Sequence, residues 1–187
     1  MAELILRYLH LGFTHVLPLG YDHILFMLSI FFLTSRLQSV IVQCSVFTLA
    51  HSIALAVTAL GYVSPPASVI EPLIAFSILV TAVENILHSR VCAWRLVIIF
   101  LFGLVHGMGF AGALLDIGLP EAHFFTALMS FNVGVEIAQL TVILAVYYGL
   151  TTWCADKEWY RERIVYPLSS AIGCCAMYLL FQRIVLS

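Results

Sequence analysis

Long apolar runs, separated by short polar interruptions, fill most of the chain and define its predicted elements. A helix of about 20 apolar residues crosses the roughly 30 Å hydrocarbon core of a bilayer. Because backbone groups find no partner in lipid, each run is predicted to be a helix. Pro18 and Gly20 interrupt the first run, so residues 3–15 are predicted to form a short interfacial helix before the first span. The predicted spans are residues 18–35, 38–61, 70–89, 95–115, 122–150 and 164–185.

The composition is that of a protein embedded in lipid. Of the 187 residues, 63% are hydrophobic and 10% are charged, whereas soluble domains have about 45–50% apolar and about 25% charged residues. We therefore predict an all-α integral membrane protein, with residues 1–187 forming a single transmembrane bundle in contact with membrane lipid. The formal net charge is −2 and no basic block is present, so nucleic acid is not an expected partner.

Cationic residues define the predicted orientation. The loops after spans one, three and five contain Lys or Arg, and the loops after spans two and four contain none. Positively charged loops stay on the cytoplasmic side, so we predict a multi-pass protein of the cell (inner) membrane whose two termini lie outside. The cationic residues of the three loops are Arg36, Arg90, Arg95, Lys157, Arg161 and Arg163.

Ionisable and amide side chains inside the predicted spans are candidates for function. At 1.5 Å per helical residue, they fall in the outer half or middle of the membrane, on five helices. These residues are Asp22, His23, His51, Glu84, His106, Asn132 and Glu136. Helical spacing also places two polar stripes on single helix faces. The stripes are Ser77, Thr81, Glu84 and His88 on the third span, and Asn132, Glu136 and Gln139 on the fifth.

Protons, imidazolium groups or a bound cation, as counter-charges to the acids, explain this set better than structural hydrogen bonding does. A single histidine or asparagine in a span serves equally well as an interhelical hydrogen-bonding group. An ionisable residue at the bilayer centre, however, costs about 2.5–3.5 kcal/mol, and no Lys or Arg is expected at the depth of the acids. Mixed imidazole and carboxylate ligands suit zinc, nickel, iron or manganese. We predict a divalent transition metal, nickel or zinc before iron or manganese, with ligands drawn from Asp22, His23, His51, Glu84, His106 and Glu136.

Four ordered motifs resemble the HupE/UreJ family, and in particular its second branch. They read HVLPLGYDHILF at 15–26, FTLAHS at 47–52, FGLVHGMGF at 102–110 and FNVGVEIAQL at 131–140. The resemblance implies a small helical bundle and a hydrogenase or urease accessory protein that acts as a nickel permease. Carried over by position, it implies that Asp22, His23 and His106 handle the metal.

The chain departs from the better-known branch of that family in two motifs. His15 and Pro18 are separated here, where that branch has an adjacent His-Pro pair. Phe102 and Gly109 stand where its later motif has a histidine and a glutamate. Fewer ligands remain in that motif, so the resemblance leaves the identity of the metal open.

Two functions are consistent with these residues. A permease would capture a divalent cation through the Asp22, His23, His51 and His106 set and relay it past Glu136 and Glu84. A conducting site must also release its ion, so its ligands should be few and arranged in series. The accessory residues expected along such a path are His15, Ser77, Thr81, His88 and Gln139.

The alternative is an intramembrane metalloenzyme, in which a metal-bound water is activated. Glu136 would then be the general base, and Asn132 or Ser52 would orient a lipid, amide or peptide substrate. The bias of the polar set towards one side of the membrane favours this alternative, whereas the lack of an HExxH signature disfavours it. A second copy of the chain or a metalloenzyme-maturation protein is the expected protein partner.

Overall fold

The computed structural model describes residues 1–34, 36–88, 91–92, 94–118 and 120–185. Within them the chain is helical, without a strand, which confirms the predicted all-α class. The helices are α1 Ala2–Val16, α2 Tyr21–Phe32, α3 Leu37–Ala59, α4 Ala67–Leu87, α5 Trp94–Ile117, α6 Phe124–Val146, α7 Thr152–Cys154 and α8 Tyr166–Val185. Arg90, used in the orientation prediction, lies outside the described residues, as do positions 35 and 89 at the ends of predicted spans.

In the part of the chain that the structure describes, five helical segments are long and apolar enough to cross a membrane, and each overlaps a predicted span. Two of them are lengthened by π-helical turns, since Tyr147–Thr151 joins α6 to α7 and Arg161–Val165 leads into α8. The segments are Leu37–Ala59, Ala67–Leu87, Trp94–Leu114, Phe124–Cys154 and Arg161–Val185. By length and composition these segments are those of a multi-pass membrane protein.

The N-terminal part of the chain differs from its prediction. In place of an interfacial helix and an unbroken span, α1 and α2 form a pair that bends by 68° at a short break. The hydroxyl of Tyr8 donates to the carbonyl oxygen of Gly118, at the end of α5. Near the far end of α2, the carbonyl oxygen of Ser29 accepts from Asn85, close to the C-terminus of α4. The two short helices therefore follow one another from one end of the bundle to the other, as a broken span.

We call the end that carries the connections 60–66 and 118–123 the cavity end, and the opposite end the connector end. Three helix pairs dominate the packing: α3 with α5, α1 with α6, and α4 with α8. Small residues allow these close approaches, among them Gly103 and Gly107 of α5, which lie against α3. A methyl group at Gly107 would overlap the carbonyl oxygen of His51, and one at Gly134 would overlap that of Leu9. The backbones of α3 and α5 are thus in direct contact at the level of His51.

Candidate metal centre

Histidines from four helices meet at the break in the first span. His15 lies in the last turn of α1 and His23 in the first turn of α2, while His51 and His106 come from the middle of α3 and α5. One ring nitrogen of each of His15, His23 and His51 lies within 4.8 Å of the others. The ring centroid of His106 lies 5.2 Å from that of His23.

The break itself brings His15 and His23 together. Pro18 has no N–H and cannot continue a helix, so the chain turns over Leu17–Gly20 before α2 begins. Gly20 packs against the carbonyl oxygen of His15, where a Cβ atom would overlap it. The two imidazole rings consequently lie edge to face, with centroids 4.7 Å apart.

Five ring nitrogens of this cluster are buried without a hydrogen-bond partner, whereas Nε2 of His106 is paired with Ser77. His23, His51 and His106 are buried, and His15 is half-buried. Both nitrogens of His51, Nε2 of His15 and of His23, and Nδ1 of His106 are buried without a hydrogen bond. Since buried polar atoms are normally paired, these lone pairs are free to bind a cation. Three histidines with one open position is also the ligand set of one class of catalytic zinc sites.

The tautomer of His106 follows from its neighbour Ser77. The Ser77 hydroxyl has one proton, which it donates to the carbonyl oxygen of Ile74 at 2.7 Å. Its oxygen therefore accepts from Nε2 of His106, which lies 3.0 Å away. With Nε2 protonated, the lone pair of His106 is on Nδ1, the nitrogen that has no partner. Such an outer hydrogen bond orients a ligating imidazole and fixes its binding nitrogen.

A cavity of about 560 Å³ leads from the cluster towards the cavity end of the bundle. Its lining includes His15, His23, His106, Asp22, Glu71 and Arg183. Arg183, near the end of α8, donates to Oδ2 of Asp22 at 2.7 Å and to the carbonyl oxygen of Glu71 at 3.1 Å. The other carboxylate oxygen of Asp22 is buried without a partner. The cavity is thus lined by an acidic residue that is paired with an arginine and keeps one oxygen without a partner.

Aromatic rings close the cluster towards the connector end. The rings of Phe26 and Phe47 lie 4.9 Å apart, and each lies within 5.1 Å of His106. Phe26 and Phe47 are fully buried. The opening of the centre is therefore on the cavity side.

The stripe on α6 lies beside the cluster, against α3. The carboxamide of Asn132 is adjacent to the ring of His51. Ser45 donates to Glu136 at 2.9 Å, and Thr48 donates to Gln139 at 3.1 Å. Ser52, the third residue assigned to catalysis, donates to the carbonyl oxygen of Thr48 on its own helix.

Glu84 does not join the cluster. Its carboxylate pairs with the guanidinium of Arg95, which is fully buried and also donates to Gln43 at 2.7 Å. The expectation that no Lys or Arg reaches the buried acids is therefore wrong, for Glu84 and equally for Asp22. Both arginines lie near helix ends, and their long side chains extend inwards from there.

The other two members of the α4 stripe have structural contacts. Thr81 donates to the carbonyl oxygens of Ser77 and Ile78 on its own helix. His88 follows the end of α4 with an exposed side chain, and its carbonyl oxygen accepts from Arg161. Of the α4 stripe, Ser77 alone contacts a histidine of the cluster.

A family model described as HupE/UreJ protein matches residues 1–183. The chain belongs to the HupE/UreJ family. This is a family of nickel and cobalt accessory membrane proteins. Comparison with curated proteins and with solved structures gave no significant match.

Within this HupE/UreJ chain, the sequence indicated the site incompletely. His15 was expected only as an accessory residue, yet it is part of the compact trio. The sequence did contain a sign of this role. His15 lies eight residues before His23, and the helix-breaking residues Pro18 and Gly20 lie between them. The partners Arg95 and Arg183 carried no such signal, because residues near span ends normally turn outwards to the interface.

Proposed function

We propose that this protein binds a divalent transition metal ion at the histidine cluster and passes it across the membrane, as a HupE/UreJ-type permease. The observation that carries the proposal is the set of unpaired imidazole nitrogens from His15, His23, His51 and His106 at the base of a cavity. Imidazole suits nickel and zinc among the divalent metals, whereas carboxylate and carbonyl oxygens suit manganese. Nickel or zinc is accordingly the proposed cargo.

The cavity residues support capture of a cation from the cavity end, which is the proposed outer side. Asp22 and Glu71 line the cavity, and one carboxylate oxygen of Asp22 has no hydrogen bond while the other is paired with Arg183. From there the ion would exchange its water for the three close imidazoles. All four rings are neutral when they bind, so the divalent charge stays on the ion and its release requires no separation of a strong ion pair.

The metal content of the purified protein directly tests whether the histidine cluster binds the ion. The wild-type protein, purified in detergent and desalted after exposure to Ni²⁺ or Zn²⁺, is expected to retain the ion. His51→Ala or His23→Ala should lower the retained metal at least tenfold, because each removes one member of the trio. His10→Ala and His123→Ala are matched controls, since both side chains are exposed and lie outside the cluster. Unchanged metal content in both cluster variants would refute the proposal.

A metalloenzyme is the second candidate, and the aromatic closure beside His106 favours it. A site that is open on one side, with three histidines and a free metal position, suits activation of a water for hydrolysis. In that case Asp22, which lines the cavity, is better placed for proton transfer than Glu136, whose contact is Ser45 on the far side of His51. Asn132, beside His51, would orient the substrate.

A transport assay distinguishes the permease from the metalloenzyme. Vesicles of phosphatidylethanolamine and phosphatidylglycerol that contain the protein and an enclosed metal-sensitive dye should report uptake of added Ni²⁺ or Zn²⁺. A metal-loaded protein that produces no uptake above empty vesicles would favour the enzyme. The same preparation can then be supplied with lipid, amide and peptide substrates.

A further inference from the structure

We propose that the ion leaves the histidine cluster along the contact between α3 and α6, and that Glu136 provides a second cation position on this route. This route rests on the proposed transport function and adds the path by which the ion leaves the histidine cluster. We call the contact, formed by Ser45, Thr48 and His51 of α3 with Asn132, Glu136 and Gln139 of α6, the α3–α6 seam.

The seam begins at the cluster itself. His51 belongs to the metal-binding trio, and the carboxamide of Asn132 lies next to its ring. From His51, the residues Thr48 and Ser45 follow at helical spacing along α3, so the seam continues about 9 Å towards the connector end. Asn132 and Glu136 are likewise one turn apart on α6.

Polar atoms without partners line this path at every level. Those that can bind a cation are one ring nitrogen of His51, Oδ1 of Asn132 and Oε2 of Glu136, while the unpaired Nε2 of Gln139 is a donor. His51, Asn132 and Gln139 are each more than nine-tenths buried. A buried polar atom without a partner is costly, and these acceptors on two facing helices offer ligands to a hydrated cation. Glutamate and amide oxygens are harder ligands than imidazole, which favours hand-over of the ion rather than tighter capture.

The other polar stripe offers no comparable way out. Below Ser77 on α4, the hydroxyl of Thr81 is bonded to its own helix. The stripe then ends at the guanidinium of Arg95, which fills the space beside Glu84 and repels a cation. The direct path below His106 is closed by Phe26 and Phe47. The seam is thus the polar path from the cluster, among the described residues, that meets no arginine.

Glu136 itself requires a counter-charge. Its side chain is half-buried at the bilayer-facing side of the seam, next to the exposed Ser45, which donates to one of its oxygens. A carboxylate at this depth is unfavourable without a partner. Among the described residues no arginine or lysine is paired with it, whereas Glu84 and Asp22 each have one. A passing divalent cation supplies the missing charge.

The first test compares metal loading with transport. In the vesicles described above, Glu136→Gln should retain metal within about twofold of wild type, because the trio is intact, while the initial rate of Ni²⁺ or Zn²⁺ uptake falls at least tenfold. Glu136→Asp, which keeps the charge, should restore part of the rate. Glu158→Gln, the same change at an exposed residue between α7 and α8, should leave both quantities unchanged.

If the Glu136→Gln protein loads metal normally and takes it up at the wild-type rate, the ion does not leave along the α3–α6 seam. The proposed function would be unaffected by that result. Loss of metal loading in His23→Ala together with undiminished uptake would instead refute the proposed function. A Glu136→Gln protein that changes from one oligomeric state to another, with its uptake unchanged, would show that a second copy covers this face, and the inference would fail.

A second test does not depend on how Glu136 variants fold. Ser45→Cys places a thiol beside the carboxylate of Glu136, and Leu49→Cys places one on the same face of α3, one turn away. Thiolate and carboxylate together bind Cd²⁺ well, so added Cd²⁺ should reduce uptake at least fivefold in Ser45→Cys. Leu49→Cys and wild type should not respond. Equal inhibition of all three, or of none, would exclude passage of the ion along the seam.

Discussion

His106 is distinguished from the other clustered histidines by its hydrogen bond with Ser77, which fixes its proton on Nε2. We expect Ser77→Ala to lower the affinity for Ni²⁺ or Zn²⁺ by about 10- to 100-fold, the usual effect of losing an outer hydrogen bond on a ligating histidine. Without it, the ring rotates and Nδ1 is no longer directed at the cluster. Competition with a chromophoric chelator measures the change.

Thr81→Val is the matched control for this prediction. Thr81 lies one turn further along α4, is equally buried and bonds only to its own helix. Its removal should leave metal affinity within about twofold of wild type. If Ser77→Ala binds metal as tightly as Thr81→Val does, then His106 is not a ligand.

Single residues also show how far sequence reasoning reached. His51 and His106 were placed correctly near the middle of their helices, because the rise per residue of an α-helix is fixed and fixes depth. Glu84 was placed too centrally: it lies in the last turn of α4, where Arg95 reaches it. Rotation of a helix about its axis and the direction of a long side chain depend on the neighbouring helices. A sequence without its packing does not determine them.

At the scale of helices, α3 and α5 position the cluster through direct backbone contact. Gly107 lies against the carbonyl oxygen of His51, so Gly107→Ala should push α3 away and displace that histidine. We expect a loss of about 1–3 kcal/mol in the free energy of unfolding, typical of overpacking, together with reduced metal retention. Unfolding in mixed detergent micelles and metal analysis provide the two measurements.

Gly112→Ala is the control on the same helix, because no atom lies within 4 Å of the added methyl group. Replacing an open helical glycine by alanine favours the helix by about 1 kcal/mol. This variant should therefore be as stable as wild type or more so, with unchanged metal retention. Similar behaviour of the two alanine variants would mean that the backbone contact does not position His51.

The first span shows what pattern alone could not predict among the elements. Pro18 and Gly20 were correctly recognised as an interruption, but they were placed at the beginning of a span. The apolar pattern of α1 and α2 is the same whether the pair lies on the surface or crosses the membrane in two pieces. The difference depends on α6, which α1 contacts along its length through Gly12 and Gly134.

At the scale of the whole molecule, Arg95 and Glu84 join α5 to α4 at the connector end. Removing one partner leaves an unpaired buried charge, so Arg95→Met should cost about 3–5 kcal/mol of stability. The double variant Arg95→Met with Glu84→Gln should recover much of this loss. Unfolding of wild type, Arg95→Met, Glu84→Gln and the double variant in mixed micelles tests the pair, and additive losses in the double variant would contradict the coupling.

Orientation in the membrane is also a property of the whole chain, and it stays a prediction. The cationic loops place the cavity end outside, so a membrane-impermeant maleimide added to intact cells should label Tyr62→Cys, an exposed position between α3 and α4. Lys157→Cys, in the connector before α8, should be labelled only after the cells are opened. Wild type gives the background from the native cysteines. The reverse labelling pattern would place the cavity in the cytoplasm.

The break in the first span has a consequence for biogenesis. With 15 and 12 residues, α1 and α2 are each too short to cross about 30 Å of hydrocarbon alone. Both precede, along the chain, helices that pack against them, because α4, α6 and α8 are synthesised later. Both short helices are therefore among the last to reach their final packing, and a nascent chain that ends before α6 lacks the surface that holds α1. Since His15 and His23 flank the break, metal loading follows completion of the chain.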